Sequence, residues 1–350
     1  MTTATLLMRD PGKVGQALDL LADQLTDGWH QASRVKIPAT YRQISRIVVC
    51  GMGGSHLGAD ILRSTLADRL KFPIEIVADY RLPAWVDRHS LVICSSYSGS
   101  TEETLEALTV AKKRGAKIVV VTSGGKLAAA AQRLKVPAYC YTPSANPSGQ
   151  PRLGVAYSLT ATLPCLMRVG AVRVAPAEIA TMISAARQAT KRYGFKNAAS
   201  SAMALAKQMN GGVPLLIGAE WMAGNMHTWT NQIHENAKSY AVWYLLPDLN
   251  HHLLEGLRNR QVTKTIRAVF VADPSLHPRT IRRYALTAKI VAGLGAKVAT
   301  VKLHEHEPLA KAIELLAFGG YVSWYFSALR KVNPAPIPTV DALKNALAKI

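Results

Sequence analysis

Ser95-Ser96-Tyr97-Ser98-Gly99-Ser100-Thr101-Glu102-Glu103-Thr104 is the stretch on which the fold turns. An apolar run, Leu91-Val92-Ile93-Cys94, feeds into it, and an amphipathic pattern from Leu105 to Ala111 leaves it. Strand, hydroxyl-rich turn and helix in that order set hydroxyls and unpaired backbone N–H groups at a helix N-terminus. Such a place holds an anion, most often a phosphate. No acidic residue stands ahead of Glu102 in the turn to repel one.

A second turn of this kind lies upstream. Cys50-Gly51-Met52-Gly53-Gly54-Ser55 follows the apolar run Arg46–Cys50 and precedes a helical pattern. Glycines there let the backbone approach a ligand closely. A dinucleotide fingerprint would need a third glycine where His56 stands, although Asp79 at the end of the next strand fits that reading. The Gly-Lys-Ser/Thr of a P-loop is absent. A single Gly/Ser turn is explained as a connector and N-cap. Two of them converging at the C-terminal edge of one sheet point to phosphate.

Working outward, the pattern alternates. It predicts a helix over Met8–Trp29, strands at Arg46–Cys50, Ile74–Ala78, Leu91–Cys94, Ile118–Thr122 and Ala138–Tyr141, and helices over Ser55–Leu66, Thr101–Arg114 and Lys126–Leu134. A Pro/Ser/Asn/Gly loop, Tyr141–Pro151, leads to a long apolar helix at Gly154–Val169 and a hinge at Gly170–Pro176. Two more helices run to Met209. Strands at Leu215–Gly218, Ala268–Ala272 and Ala299–Leu303 then alternate with helices over Trp221–Lys238, Thr280–Ala292 and Leu309–Arg330, and Val340–Ile350 closes the chain. Continuous Val/Ile runs alternating with helices imply an α/β fold with parallel sheets covered on both faces. The expected division is an N-terminal helical segment (1–40) and two tandem αβα sandwiches, 41–172 and 173–350, each with its own core.

Bulk composition narrows the function classes. The chain has 350 residues, about half of them apolar, with no apolar run expected to span a membrane and no signal-peptide order at the N-terminus. Cys50, Cys94, Cys140 and Cys165 are widely spaced, which reads as reduced, buried thiols in a cytoplasmic protein. The formal charge of +20 invites a nucleic-acid reading. Yet the basic residues are scattered, and the densest zone, Arg258 to Arg283, carries no interleaved aromatics beyond Phe270. We read the charge as solvation and attraction of anionic metabolites. His251-His252 and His304-Glu305-His306-Glu307 offer zinc-ligand types, but His304 and His306 alternate with charges beside a strand end and read as a solvated turn. Glu235 lacks the spacing of His-Glu-x-x-His and no Gly-x-Ser-x-Gly elbow occurs, so no metal or cofactor is expected.

Gly51-Met52-Gly53-Gly54-Ser55 and Ser96-Tyr97-Ser98-Gly99-Ser100-Thr101-Glu102-Glu103-Thr104 resemble the signature turns of sugar isomerase (SIS) domains. Gln150-Pro151-Arg152, Asn231-Gln232-Ile233-His234-Glu235-Asn236-Ala237-Lys238 and Leu246-Pro247-Asp248-Leu249-Asn250-His251 extend the resemblance to the bifunctional phosphoglucose/phosphomannose isomerase family, from about Arg46 to the C-terminus. It implies that both αβα units are SIS domains, and that Ser55, Ser96, Ser98 and Thr101, with backbone N–H groups at Gly53 and Gly54, hold the phosphate. Proton transfer falls to Glu235 and enediolate stabilisation to Arg152. The resemblance also implies that His251 opens the ring, reaching the neighbouring subunit of a homodimer, and that Lys344, with Lys349 as a competitor, approaches the sugar oxygens.

The chemistry agrees with those residue types. Aldose–ketose isomerisation needs a carboxylate to carry a proton between C1 and C2, a cation near the enediolate and an acid/base for the ring. Three features depart from the family: His252-Leu253-Leu254 after His251, His234 before Glu235, and Ala335 near a position where a threonine accompanies mannose tolerance. They leave open which epimer is accepted. A non-catalytic phosphosugar sensor is the alternative that retains the turns without the chemistry.

Overall fold

A computed structural model describes residues 3–197, 199–347 and 349. The N-terminal segment forms three helices, α1 (Thr3–Met8), α2 (Val14–Asp19) and α3 (Leu21–Ala32), rather than one continuous helix. Pro11-Gly12 interrupts the pattern, and the Asp10 carboxylate accepts from the N–H groups of Val14 (2.9 Å) and Gly15 (2.6 Å), capping a fresh start.

The first sheet comes from β1 (Arg46–Cys50), α4 (Gly54–Thr65), β2 (Ile74–Val77), β3 (Ser90–Ser96), α5 (Glu102–Lys113), β4 (Lys117–Thr122), α6 (Gly125–Leu134) and β5 (Ala138–Cys140). Its five strands run parallel in the order β2-β1-β3-β4-β5. Cys50 lies opposite Cys94 and Val77, so the turns leaving β1 and β3 emerge side by side. After the 3-10 turn Pro151–Leu153 come α7 (Val155–Arg168), α8 (Pro176–Tyr193) and α9 (Ser201–Met209).

The second sheet is built from β6 (Val213–Ala219), α10 (Ala223–Ala237), β7 (Val242–Leu246), α11 (Leu253–Gly256), α12 (Arg260–Thr263), β8 (Ile266–Ala272), α13 (Pro278–Gly293) and β9 (Lys297–Lys302), with α14 (Pro308–Leu329) and α15 (Pro338–Leu347) closing the chain. Its four strands are parallel in the order β7-β6-β8-β9. Strand β7 is absent from the expected pattern. It follows α10 with no glycine or proline between them, because Lys238 ends the helix in the left-handed conformation where a glycine is usual.

The two sandwiches share a core. One contiguous buried cluster runs from Leu6 through Ile47 and Leu159 to Leu216 and Phe318, and a smaller one lines the other face of the first sheet. Expecting separate cores overlooked helix α4, which packs against α7 on one side and α10 on the other. Both contacts bring backbones together at glycine: a Cβ on Gly58 would sit 2.3 Å from Leu159 N, and one on Gly224 2.4 Å from the Asp60 backbone. By length and composition α14 is apolar enough to cross a bilayer, contrary to the reading of the sequence, but 94% of its apolar window is buried inside the protein. Cys50, Cys94 and Cys165 are buried free thiols; Cys140, on the short edge strand β5, is exposed, which corrects the expectation for that residue.

Candidate active site

The turns after β1 and β3 meet at the point where the strand order of the first sheet reverses, the usual ligand crevice of an open parallel sheet. They are laced together. Tyr97 N–H donates to Ser55 Oγ (2.9 Å), and Ser95 Oγ donates to the Ser55 carbonyl (2.6 Å). Ser96 Oγ lies 2.8 Å from Thr101 Oγ1 and accepts from Gly99 N–H (3.1 Å). Ser98 Oγ accepts from Ser100 N–H at 3.3 Å. Ser55 and Ser96 are buried, whereas Ser98 is exposed and Thr101 half-buried at the N-cap of α5. The turn after β4 braces this one: Ser123 Oγ donates to the Tyr97 carbonyl (2.7 Å) and Leu127 N–H to the Gly99 carbonyl (2.8 Å). Gly53 takes φ +50, which frees the first turn of α4 to face the crevice.

Gly54 joins these turns to the chemistry. A Cβ there would lie 2.6 Å from Pro151 C and 2.7 Å from Arg152 N, so the start of α4 rests directly on the Pro151–Arg152 turn. The Arg152 side chain is fully buried, and each of its five N–H groups can be matched to an acceptor. Nε donates to Asn236 Oδ1 (2.7 Å), and Nη1 to Gln150 Oε1 and Glu235 Oε2 (both 2.8 Å). Nη2 donates to the carbonyls of Pro334 and Ala335, both at 2.8 Å. Burial pushes the guanidinium pKa down and the Glu235 carboxylate beside it pulls it back up; guanidinium stays charged in proteins.

Glu235 sits in the last turn of α10 with its side chain 28% exposed and its Oε2 held by Arg152 Nη1 at 2.8 Å. Asn236, next to it, donates through Nδ2 to Ser323 Oγ (2.9 Å) and so is fixed at both ends of its amide. Lys238 Nζ donates to the Glu235 carbonyl (2.6 Å) and to the Pro334 carbonyl (2.9 Å).

The other expected residues are exposed on the single chain. His251 is exposed at the end of the 3-10 turn Asp248–His251, which packs on β7 and α11. Lys344 is on α15, where every residue is exposed. Of the departures, His234 serves the backbone: its Nε2 lies 2.9 Å from the Ala241 carbonyl oxygen and 3.2 Å from the Ala241 nitrogen, pinning the turn between α10 and β7. Ala335 contributes its carbonyl to Arg152. Among the described residues no group of three or more His, Cys, Asp or Glu side chains is arranged to hold a metal.

Sequence reasoning missed Gln150, Asn236, Lys238 and the Pro334–Ala335 carbonyls as parts of the site. Three of them sit inside motifs already singled out, but the partners they share lie up to 183 residues apart, and no local spacing signals that. It also missed a cluster where α4 meets α10. Asp60 pairs with Arg63 (2.7 Å) and His227 (2.9 Å), and the His56 ring stands 5.5 Å from that of His227.

Known proteins bear on this geometry. Residues 40–163 match the SIS domain and residues 198–347 the bacterial phospho-glucose isomerase C-terminal SIS domain. In solved structures, a hypothetical protein of Thermus thermophilus superposes with a TM-score of 0.74 at 20% identity, over 99% of this chain and 93% of that one. The C-terminal domain of glucosamine-fructose-6-phosphate aminotransferase from Francisella tularensis gives 0.70 at 13% identity, over 95% and 98%. At those identities they show the shared fold, two SIS domains. Closer in sequence are two bifunctional phosphoglucose/phosphomannose isomerases. That of Caldicellulosiruptor bescii is 31% identical over 94% of this chain and 97% of its own, and that of Aquifex aeolicus 30% identical over 87% and 90%. With crevice turns, buried arginine and half-buried glutamate carried on such a sequence, the chain belongs to the bifunctional phosphoglucose/phosphomannose isomerase family.

Proposed function

We propose that the protein interconverts glucose 6-phosphate, and mannose 6-phosphate where the epimer is tolerated, with fructose 6-phosphate through an enediolate. The observation that carries the reading is the Arg152–Glu235 pair at 2.8 Å, seated on the phosphate-binding end of α4 through Gly54. The phosphate docks on Ser55, Ser96, Ser98 and Thr101 and on N–H groups at Gly53 and Gly54. Glu235 removes the proton from C2 of the open aldose and returns it to C1. Arg152 acts through its charge: its N–H groups are engaged by protein acceptors, so it orients Glu235 and sets a positive field for the enediolate without a free donor.

Ring opening is assigned to His251 and Lys344. Both are exposed on the single chain, as residues would be that complete a site only when a second copy docks. The proposed assembly is a homodimer with shared sites. Glu235→Gln, assayed with fructose 6-phosphate in a coupled assay, should lose about 10²–10⁴-fold in kcat while phosphosugar binding persists. Near-wild-type turnover would remove Glu235 from the mechanism. Activity of the wild type on none of a panel of hexose phosphates, with binding retained, would favour the sensor.

A further inference from the structure

The segment linking α14 to α15 is held to the end of α10 by two cations that share one carbonyl. Pro334 O accepts from Arg152 Nη2 (2.8 Å) and from Lys238 Nζ (2.9 Å), and Lys238 also donates to the carbonyl of Glu235 (2.6 Å). The same lysine ends α10 at φ 49°, ψ 44°. Glycine takes that conformation without strain, whereas a side chain there is penalised by the contact of its Cβ with the carbonyl. The ammonium is also partly withdrawn from water beside a guanidinium. Burial and then Arg152 push its pKa down to about 8, against an upward pull from Glu235. A strained backbone and a disfavoured charge at one residue are set against the two carbonyl bonds it makes.

We infer that Lys238 is a positioning residue for proton transfer: its ammonium fixes the backbone turn that presents Glu235 and clamps the Pro334 segment, and with it the start of α15, across the same end of the site. This rests on the isomerase reading. The clamp ties the Glu235 turn to the helix that carries Lys344, since α15 begins at Pro338, soon after the clamped carbonyl. Arg330 Nε ties the start of that segment to the Ala237 carbonyl (3.1 Å). Among the described residues, Lys238 alone ties the Glu235 backbone to Pro334. Asn236, which Arg152 also holds, is bonded to Ser323 of α14 and not to the segment beyond it.

Glycine and arginine at position 238 separate this role from a structural one. Lys238→Gly relieves the left-handed strain, so the full-length variant should melt at or above the wild-type temperature. It nevertheless loses the ammonium, and kcat with fructose 6-phosphate should fall roughly 10–100-fold with KM within about threefold. Amide exchange in residues 331–337 should quicken. Lys238→Arg, which can still donate to both carbonyls, should recover most of kcat. An active wild type beside an equally active Lys238→Gly, or a loss confined to melting temperature, overturns the role and leaves the isomerase intact. A wild type inactive across the sugar panel sinks the isomerase reading and this role together.

Discussion

At the scale of the residue, Arg152 couples charge to position. A lysine in its place supplies a point charge but not the planar fork that reaches Asn236, Gln150, Glu235, Pro334 and Ala335 together. Arg152→Lys should lower kcat by about 10²-fold, and chemical denaturation should register a loss of roughly 2–4 kcal/mol, since buried acceptors lose their donors. Retained kcat would mean that charge alone suffices. A second residue-scale prediction concerns acid. His56 is buried in the first turn of α4 with Nδ1 unpartnered, and burial, then His227 beside it, push its pKa from 6.5 down to about 4. Between those values the unfolded chain takes up a proton that the folded one refuses, so stability falls as pH drops. The expected contribution is about 2 kcal/mol between pH 7 and pH 5, and His56→Gln should remove it in paired unfolding measurements at the two pH values. An unchanged difference between them would show that other groups carry the acid response. Glu235 and Arg152 were both legible as residues, through the motifs that contain them. Their partners were not, because a carbonyl of Pro334 looks like any other carbonyl until the chain returns to it.

At the scale of the element, α4 organises the site. Its N-terminus follows the glycine turn proposed to hold the phosphate, its Gly54 abuts the Arg152 turn, and its middle packs against both α7 and α10. Gly54→Ala would push a methyl into the Pro151–Arg152 backbone. We expect a stability cost of about 1–3 kcal/mol and a fall in kcat/KM for the phosphosugar beyond what the lost stability explains. A variant with unchanged kinetics would show that the α4 turn and the arginine turn work independently. Most elements were readable to within a residue or two. Strand β1 falls on Arg46–Cys50 as the pattern indicates, and α10 ends one residue before Lys238. The failures have local causes: Asp10 starts a new helix after Pro11-Gly12, and β7 hides behind a helix that ends on a lysine.

At the scale of the whole molecule, one chain holds the crevice turns, Arg152 and Glu235 together while His251 and Lys344 are exposed. If the partner subunit supplies His251, two inactive variants should complement each other. Mixing Glu235→Gln with His251→Asn after subunit exchange should restore roughly a quarter of wild-type activity: half of the dimers are mixed, and each has one intact site. No recovery, with exchange verified by mass, would place His251 with the Glu235 of its own chain or outside the reaction. The basic surface has a bearing here as well. A net charge of +20 favours the approach of an anionic sugar phosphate, and kcat/KM should decline as salt screens that attraction.

What the sequence determined by itself is what short-range order encodes. Apolar runs of Val and Ile, glycine and serine turns and the helices after them specify parallel strands with helix N-termini at their ends, because each step depends on neighbours a few residues apart. The tertiary structure decided the rest. Arg152 meets Glu235 across 83 residues and Pro334 across 182, and α4 fuses what look like two cores into one. Those contacts follow from how whole helices pack, and a hydrogen bond between such distant positions leaves no periodicity behind in the chain.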